Sequence, residues 1–215
     1  MHTTAISHVP GGVDELDGCR ACGAPSDPFA SESDAKHGLL RLVAGQSDEL
    51  LAHLAQVAQL AEETATILGL PLDDVRLTRL GAELHDIGMV GIPASIVEKS
   101  GVLSGEEQWF MQRHSEIGEG ILRGIPALAA VAPIVRSIHE RPDGMGYPDG
   151  LTLEQIPLAS RVIAVVEAFD TMTHDQPYQR ATSETRALAE LRQHAGTQFD
   201  GYIVEAFAKT IARRH

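Results

Sequence analysis

The sequence predicts an all-α fold, a compact bundle of several helices. Aromatic residues, which favour strands, make up only 4% of the 215 residues, and Ala, Leu, Ile and Val fill most apolar positions. No stretch alternates apolar and polar residues convincingly, as a half-buried strand would. Apolar residues recur instead at helical spacing in one segment after another, and this pattern indicates helices.

The chain divides into a leader and one helical domain. Residues 1–32 are predicted to be a flexible leader, because prolines, glycines and scattered acidic residues interrupt any apolar periodicity there. Cys19 and Cys22 form a CxxC pair in this leader. One such pair is half of a zinc site at best, so a metal or redox role is not the favoured interpretation. The helical domain is expected to occupy 33–215.

The helices of the domain follow from periodicity and from start and stop signals. They are predicted at 33–44, 47–68, 73–87, 104–122, 128–140, 158–174, 184–195 and 201–212. The second carries an apolar stripe formed by Leu50, Leu54, Val57, Ala61, Ala65 and Leu68. Ser104 and Glu107 have the spacing of a capping box, which predicts a helix start at that point.

Charge and hydropathy exclude two classes of partner. Lys and Arg number 17 against 30 Asp and Glu, a formal net charge of −13, and such a field repels nucleic acid polymers. The longest apolar run, 125–135, is shorter than the roughly 18 residues of a membrane span and contains two prolines. With no signal peptide visible and only two cysteines, the expected location is a reducing cytoplasm.

Four of the ten histidines fall one per predicted helix, namely His53, His85, His114 and His139. Each alone is better explained as a core or boundary residue. Together with Asp86, which follows His85 directly, they form a mixed imidazole and carboxylate set that suits iron, manganese, zinc or cobalt. The remaining six are expected to be solvated: His2, His8, His37, His174, His194 and His215.

Carboxylates accompany these histidines at helical spacing. Glu49 precedes His53 by four residues, and Glu167 precedes Asp170 by three, so each pair shares a helix face. Asp170 is as well suited to brace a helix as to contact a metal, and both interpretations stay open. A core that gathers this many ionisable groups without a metal would be costly.

An ordered set of motifs resembles a known family. It comprises HDIG at 85–88, EEQW at 106–109 leading to His114, HERPDGMGYP at 139–148, IPLA at 156–159, PY at 177–178 and QFD at 198–200. The set is similar to the HD-GYP family, a bacterial branch of the HD phosphohydrolase superfamily, over roughly residues 47–211. An HD dipeptide alone would be a weak signal, whereas this order of motifs is specific.

The resemblance implies an activity and its metals. HD-GYP domains are all-helical, hold two or three metal ions and hydrolyse cyclic di-GMP, usually in chains with a sensory or receiver domain. The leader is expected to be too short for such a domain. Two divalent transition metal ions are expected, with iron or manganese favoured over zinc, cobalt or nickel. A third ion near Glu49 is the less favoured alternative.

The resemblance also implies roles for residues. The metal ligands would be Glu49, His53, His85, Asp86, His114, His139 and Glu167. Asp86 would bridge two ions, and the catalytic residues would be His85, Asp86 and Tyr147.

The loop after His139 has its own local signals. Gly144 and Gly146 allow positive φ and close backbone approach, and Pro148 restrains Tyr147. The loop could form a lip whose backbone N–H groups and tyrosine meet a phosphodiester or a base; a capping loop that closes the bundle is the simpler alternative. The residues predicted to bind substrate are Gly144, Gly146, Tyr147, Pro148, Gln176 and Gln179.

Several positions depart from the family pattern. Met89 stands where a lysine is usual, Ile138 where the first of two histidines is usual, and Glu167 where an aspartate is usual. Gln176 and Gln179 stand where cations are usual. These changes remove a nitrogen ligand and several positive charges, so weaker handling of cyclic di-GMP is expected than in relatives that keep them.

The favoured function is a metal-dependent phosphohydrolase that cleaves a cyclic dinucleotide, or a related nucleotide phosphodiester, by a metal-activated hydroxide. One alternative is a degenerate signalling module that binds metal, nucleotide or a partner protein without turnover. Another is an active enzyme for a different nucleotide. The oligomeric state stays open.

Overall fold

The chain forms a helical bundle. The computed structural model describes residues 31–45, 48–175 and 180–214, with only the backbone described for residues 44, 48 and 49. Over these ranges there are ten α-helices: α1 (Glu32–Ala44), α2 (Asp48–Ile67), α3 (Leu72–Leu84), α4 (Ala94–Val97), α5 (Gly105–Gln112), α6 (His114–Arg123), α7 (Ala132–Arg136), α8 (Leu158–Thr173), α9 (Glu184–Gln193) and α10 (Gly201–Ala212). The predicted all-α fold is confirmed.

Side-chain caps define several helix starts. The Ser31 hydroxyl accepts a hydrogen bond from the Asp34 amide at the start of α1. Ser104 and Glu107 form the predicted capping box of α5, with both reciprocal hydrogen bonds present. These bonds satisfy amide groups that a helix start otherwise leaves without an acceptor.

The core lies around α8. This helix packs against α2, α3, α9 and α10, and its apolar face is fully buried. The rings of Phe169 on α8 and Phe207 on α10 meet edge to face, with centroids 4.9 Å apart. Leu84 and Ile163 are also fully buried, and each such side chain contributes about 1.5–3 kcal/mol by leaving water. No helix in the described ranges is long and apolar enough to cross a bilayer.

Three of the predicted helices are shorter or divided in the structure. The helix predicted at 73–87 ends at Leu84, and a 3₁₀ segment, Ile87–Gly91, follows it. The helix predicted at 104–122 is two helices, because the chain turns at Arg113 between α5 and α6. In both places the prediction of one continuous helix was wrong, since close packing of these segments on each other outweighs local helix propensity.

The helix predicted at 128–140 ends early. A 3₁₀ segment, Pro126–Val131, precedes the short α7, and the helix stops at Arg136. Beyond it the His139 carbonyl accepts a hydrogen bond from the Tyr147 amide, so the backbone there serves the following loop instead of a helix. The sequence did not predict the short helix α4. Leu50, which the sequence places on the apolar stripe of α2, is 36% exposed.

Candidate metal centre

The first pair of functional side chains stands just after α3. His85 is buried, and its Nδ1 lies 2.8 Å from the Ala82 carbonyl oxygen. A carbonyl can only accept, so Nδ1 carries the proton and donates it. Nε2 lies 3.3 Å from Oδ2 of Asp86, the adjacent and partly exposed carboxylate. The helix end thus presents an imidazole nitrogen and a carboxylate side by side.

Gly88 brings this pair against the start of α6. A Cβ at position 88 would collide with the backbone carbonyl of His114, so only glycine permits the observed approach. His114 is buried, and its Nδ1 donates to the Met111 carbonyl at 2.7 Å. Its Nε2 lies 3.0 Å from Nε2 of His139. Two histidines predicted on separate helices therefore meet directly.

The loop after His139 covers the histidine pair. The Tyr147 ring stacks on the His139 ring, with centroids 5.0 Å apart and an interplanar angle of 16°. The buried Glu140 carboxylate accepts hydrogen bonds from the Asp149 and Leu151 amides at 2.6 and 2.8 Å. Glu140 therefore holds the end of the loop at residues 149–151, while Tyr147 packs the loop against His139.

The loop's amide groups are occupied within the protein. Gly144 has a φ of +74°, and its amide donates to the Arg141 carbonyl. The Met145 amide donates to Asp143 and the Tyr147 amide donates to His139. The turn itself uses these three N–H groups, so the predicted contact of the loop backbone with a phosphodiester would have to come from other amides of the loop.

Gly146 serves packing. A Cβ there would collide with the backbone of residues 139–141. Its role is therefore close approach of the loop to the chain that carries His139, without a positive φ.

A second cluster lies where α2 meets α8. Nε2 of His53 is 3.4 Å from Oδ2 of Asp170, and Nδ1 of His174 is 3.2 Å from Oδ1 of the same carboxylate. Glu167 stands one turn before Asp170 and is half-buried. The structure thus places His53 against Asp170, while Glu167 lies on the wall of a cavity that His139 also lines.

Charge coupling runs through the centre. Burial opposes protonation of His85, but the Asp86 carboxylate outweighs it and raises the pKa of His85 to about 10. Desolvation likewise opposes ionisation of Asp86, yet His85 holds the pKa of this carboxyl well below its usual value. Burial lowers the pKa of His139 and raises the pKa of the Tyr147 phenol. At neutral pH the His139 ring is therefore neutral, and the Tyr147 phenol keeps its proton and can donate a hydrogen bond.

The donor set fits a transition metal. His85 and His114 each anchor Nδ1 on a carbonyl and leave Nε2 for a ligand, which is the usual arrangement of metal-binding histidines. Asp86 adds carboxylate oxygens beside them. The side chains meet as pairs: in the described part of the chain no three of them surround one point in a way that could hold an ion. An ion held by three of them would therefore require these side chains to move.

A cavity of about 360 Å3 adjoins the centre. Its wall includes His139, Tyr147 and Glu167 on the metal side, and the amides of Gln112 and Gln198. The volume lies within the roughly 300–1,000 Å3 typical of small-molecule sites.

Other predicted site residues have different outcomes. Gln176 and Gln179 lie outside the described residues, as does the side chain of Glu49. Met89 lies on the 3₁₀ segment and is half-buried. Ile138 is 1% exposed and belongs to the hydrophobic core, so it supplies no ligand.

Sequence reasoning missed His174 as a neighbour of the centre. Its side chain is partly exposed, as expected, but it contacts the buried Asp170 and its ring lies edge to face with His53, with centroids 5.9 Å apart. The spacing of Asp170 and His174, four residues apart on a predicted helix, was the available signal.

Comparison with known proteins assigns the chain to a family. The HD domain family model matches residues 39–203. The chain belongs to the HD domain family. This HD domain is 36% identical over 180 residues to a Xanthomonas campestris protein named cyclic di-GMP phosphodiesterase response regulator RpfG, a match that covers 83% of the chain and 48% of that protein. The recognition of this family from the sequence motifs is confirmed.

The HD domain is also similar to two further proteins that are named as phosphodiesterases. It is 34% identical over 171 residues to a Vibrio cholerae protein named 3'3'-cGAMP-specific phosphodiesterase 2, covering 79% of the chain and 33% of that protein. Its fold matches the HD domain of the Listeria monocytogenes phosphodiesterase PgpH, solved with cyclic-di-AMP, with a TM-score of 0.61 at 18% identity; the match covers 83% of this chain and 95% of that one. The chain spans a third to a half of the curated relatives named here.

Proposed function

We propose that this HD domain hydrolyses a phosphodiester bond of a cyclic dinucleotide with the help of two divalent transition metal ions, iron or manganese. The ions would be held by residues drawn from His53, His85, Asp86, His114, His139 and Glu167, with Glu49 as a further donor. The observation that carries the proposal is that His85 lies beside Asp86 and His114 beside His139, with a cavity of about 360 Å3 next to His139. Relatives named as phosphodiesterases of cyclic di-GMP and 3'3'-cGAMP support the substrate class.

The metals and the protein divide the chemistry. When bound, divalent ions at such a site lower the pKa of water and offset negative charge on the phosphate in the transition state. Asp86 has two oxygens and can therefore contact a cation on either side. The Ala82 carbonyl fixes the His85 ring, so that its Nε2 stays directed at Asp86. No side-chain nucleophile is required.

Tyr147 would orient the substrate. Its phenol keeps its proton at neutral pH because burial and nearby carboxylates raise its pKa, so it can donate a hydrogen bond to a phosphate oxygen. The stacked His139 ring limits where the phenol can point. Arg141 lies on the wall of the same cavity, but Asp143 pairs with its guanidinium at 2.6 Å and reduces its effective charge. This supports the expectation of weak binding to a doubly charged ligand.

The experiment that tests the proposal compares two substitutions. The purified chain, loaded anaerobically with iron or manganese, is incubated with cyclic di-GMP, 3'3'-cGAMP and cyclic-di-AMP, and the products are separated by chromatography. Asp86→Ala should abolish both metal retention and hydrolysis, because it removes the shared carboxylate. Tyr147→Phe should leave the metal content unchanged and slow hydrolysis by roughly 10- to 100-fold, the loss of one positioning hydrogen bond.

Glu205→Gln is the matched control. This exposed carboxylate on α10 pairs with Arg192 at 2.8 Å, remote from the centre, and its loss should alter neither readout. Hydrolysis that survives Asp86→Ala would contradict the proposal.

A binding module without turnover is the second candidate. The observation that favours it is Ile138, which lies in the apolar core where the family pattern has a histidine. If the protein holds its full complement of metal and binds a nucleotide tightly but forms no product, the binding module is the correct function and the hydrolase is not.

A further inference from the structure

Part of the wall of the cavity beside the candidate metal centre is apolar. This part consists of Ile138, Ala164, Ala168 and Phe199. An apolar wall suits the flat face of a base, whereas a phosphate would lose water there without compensation. The volume of about 360 Å3 is near the lower end of the range for small-molecule sites, so the cavity suits one nucleotide half of a cyclic dinucleotide.

Two glutamine amides stand on the same wall. Gln112 is the last residue of α5, and Gln198 lies in the loop between α9 and α10. Both are half-buried, and neither side chain hydrogen-bonds to a described residue. The Asp143 amide donates to the Thr197 carbonyl at 3.1 Å, which ties the loop of Gln198 to the loop that carries Tyr147. Both amides are therefore available to a ligand.

The cation on this wall is already engaged. Nε and Nη2 of Arg141 donate to the two carboxylate oxygens of Asp143, at 3.0 and 2.6 Å. Among the described residues that line the cavity, Arg141 is the one with a permanent positive charge. The paired N–H groups of an arginine are the usual partners of O6 and N7 of guanine. Here that pair of donors belongs to Asp143.

The hydrogen-bonding pattern of a glutamine amide matches adenine. The amide carries one acceptor beside its donor group, and adenine presents the complement on both edges, with N6–H beside N7 and beside N1. Guanine presents two acceptors on one edge. On its other edge an amide can pair with N1–H and O6, but N2–H is left without an acceptor, and an unpaired polar group in a closed site weakens binding.

We propose that Gln112 and Gln198 recognise the base of the bound nucleotide, and that the HD domain therefore prefers cyclic dinucleotides that contain adenine over cyclic di-GMP. The inference rests on the proposed function for the class of ligand and adds the identity of the base. The phosphate would stand on the side of the cavity formed by His139 and Tyr147, and the base on the side of the two amides.

Affinities for three probes of equal charge test this inference. Cyclic-di-AMP, 3'3'-cGAMP and cyclic di-GMP each carry two phosphates, so differences between their affinities report on the bases. Binding is measured by calorimetry on the full-length chain treated with a chelator, so that no metal-dependent hydrolysis intervenes. The two adenine-containing probes should bind roughly 10- to 100-fold more tightly than cyclic di-GMP, the discrimination typical of a good bidentate pair.

Substitution of both glutamines separates recognition from a structural role. Gln112→Met with Gln198→Met keeps the side-chain length and removes the amides, so the three affinities should become similar. Gln112→Glu with Gln198→Glu introduces carboxylates, which only accept hydrogen bonds and therefore suit N1–H and N2–H of guanine. The added negative charge weakens all three probes alike, but their order should reverse. Glutamines with a purely structural role would not produce this reversal.

Gln108→Met with Gln193→Met is the matched control. Both side chains are exposed, one on α5 and one at the end of α9, and neither lines the cavity. This variant should keep the preference of the unmodified chain.

Hydrolysis by the metal-loaded chain is scored separately from binding. Equal affinities for the three probes, tighter binding of cyclic di-GMP, or no binding of any probe would overturn the inference. An adenine preference in binding with no hydrolysis would support the inference and remove the proposed hydrolase. Hydrolysis with equal affinities would overturn the inference and leave the hydrolase in place.

Discussion

At the residue scale, three histidines in or beside the candidate metal centre make the same contact with the main chain. His85, His114 and His174 each direct Nδ1 at a main-chain carbonyl three or four residues earlier, at 2.8, 2.7 and 3.0 Å. When the ring is neutral, the carbonyl sets the tautomer, so that Nε2 carries the lone pair. The exposed His37 makes the same contact with Ser33, so anchoring alone does not define a ligand.

Metal uptake should release a proton from His85. With a pKa of about 10 in the metal-free chain, this imidazole is protonated at pH 7–8, and a ligand must be neutral to bind. The proton competes with the metal below that pKa, so apparent affinity should rise as pH rises, by up to about tenfold per unit. Calorimetry in buffers of different ionisation enthalpy measures the released proton.

His37→Ala is the control for this measurement, because that histidine has the same carbonyl contact and lies away from the centre. It should release as many protons as the unmodified chain, while His85→Ala should release fewer. A binding heat that does not depend on the buffer would contradict the prediction.

At the element scale the centre depends on a turn. The chain leaves α3 at Leu84, presents His85 and Asp86, and enters a 3₁₀ segment that packs on α6. Gly88 and Gly118 form the contact: a Cβ at 118 would stand 3.1 Å from a Val135 methyl, and one at 88 would strike the His114 backbone. Two small residues therefore set how closely Asp86 approaches the histidine pair.

Gly88→Ala should destabilise the chain and weaken metal binding together. The new methyl meets rigid backbone, and overpacking of this kind typically costs about 1–3 kcal/mol, occasionally more. Urea unfolding of the metal-free protein and a cobalt titration measure the two effects.

Gly120→Ala, on α6, is the matched control, because a Cβ there meets nothing within 4 Å. It should stabilise the helix by about 0.5–1 kcal/mol. Equal stabilities of the two variants would show that the close approach at Gly88 is not required.

At the scale of the whole molecule, the metal centre joins distant parts of the chain. Its side chains come from α2, the end of α3, the start of α6, the loop after α7, and α8. An ion bound by several of these elements exists only when all of them are folded. Metal binding as proposed would therefore be coupled to global stability.

Loading with metal should raise the melting temperature. At a free metal concentration about 100 times Kd the gain is about 2.7 kcal/mol, or roughly 5–10 °C for a domain of this size. Differential scanning calorimetry of chelated and manganese-loaded protein measures it. The shift should be absent in Asp86→Ala, and identical melting of the loaded and chelated unmodified chain would argue against an ion that bridges these elements.

The sequence by itself determined the fold class, the family and four side chains that the structure brings together in two pairs. Periodicity without alternation marked the helices, and the spacing of His85, Asp86, His114 and His139 within ordered motifs singled out the residues that come together. These are local signals. A capping box, a glycine breaker or a motif acts over a few residues and survives any arrangement of the helices.

Only the tertiary structure decided which partners those residues have. Periodicity shows which side chains share a helix face, but it does not show which other helix packs against that face. Hence the pairing of His53 with Asp170 could not be inferred, whereas the contact of His174 with Asp170 follows from their four-residue spacing on one helix. The loop amides around Tyr147 and the early ends of two helices were likewise decided by packing and hydrogen bonds between segments distant in sequence, which outweigh local propensities of a few tenths of a kcal/mol per residue.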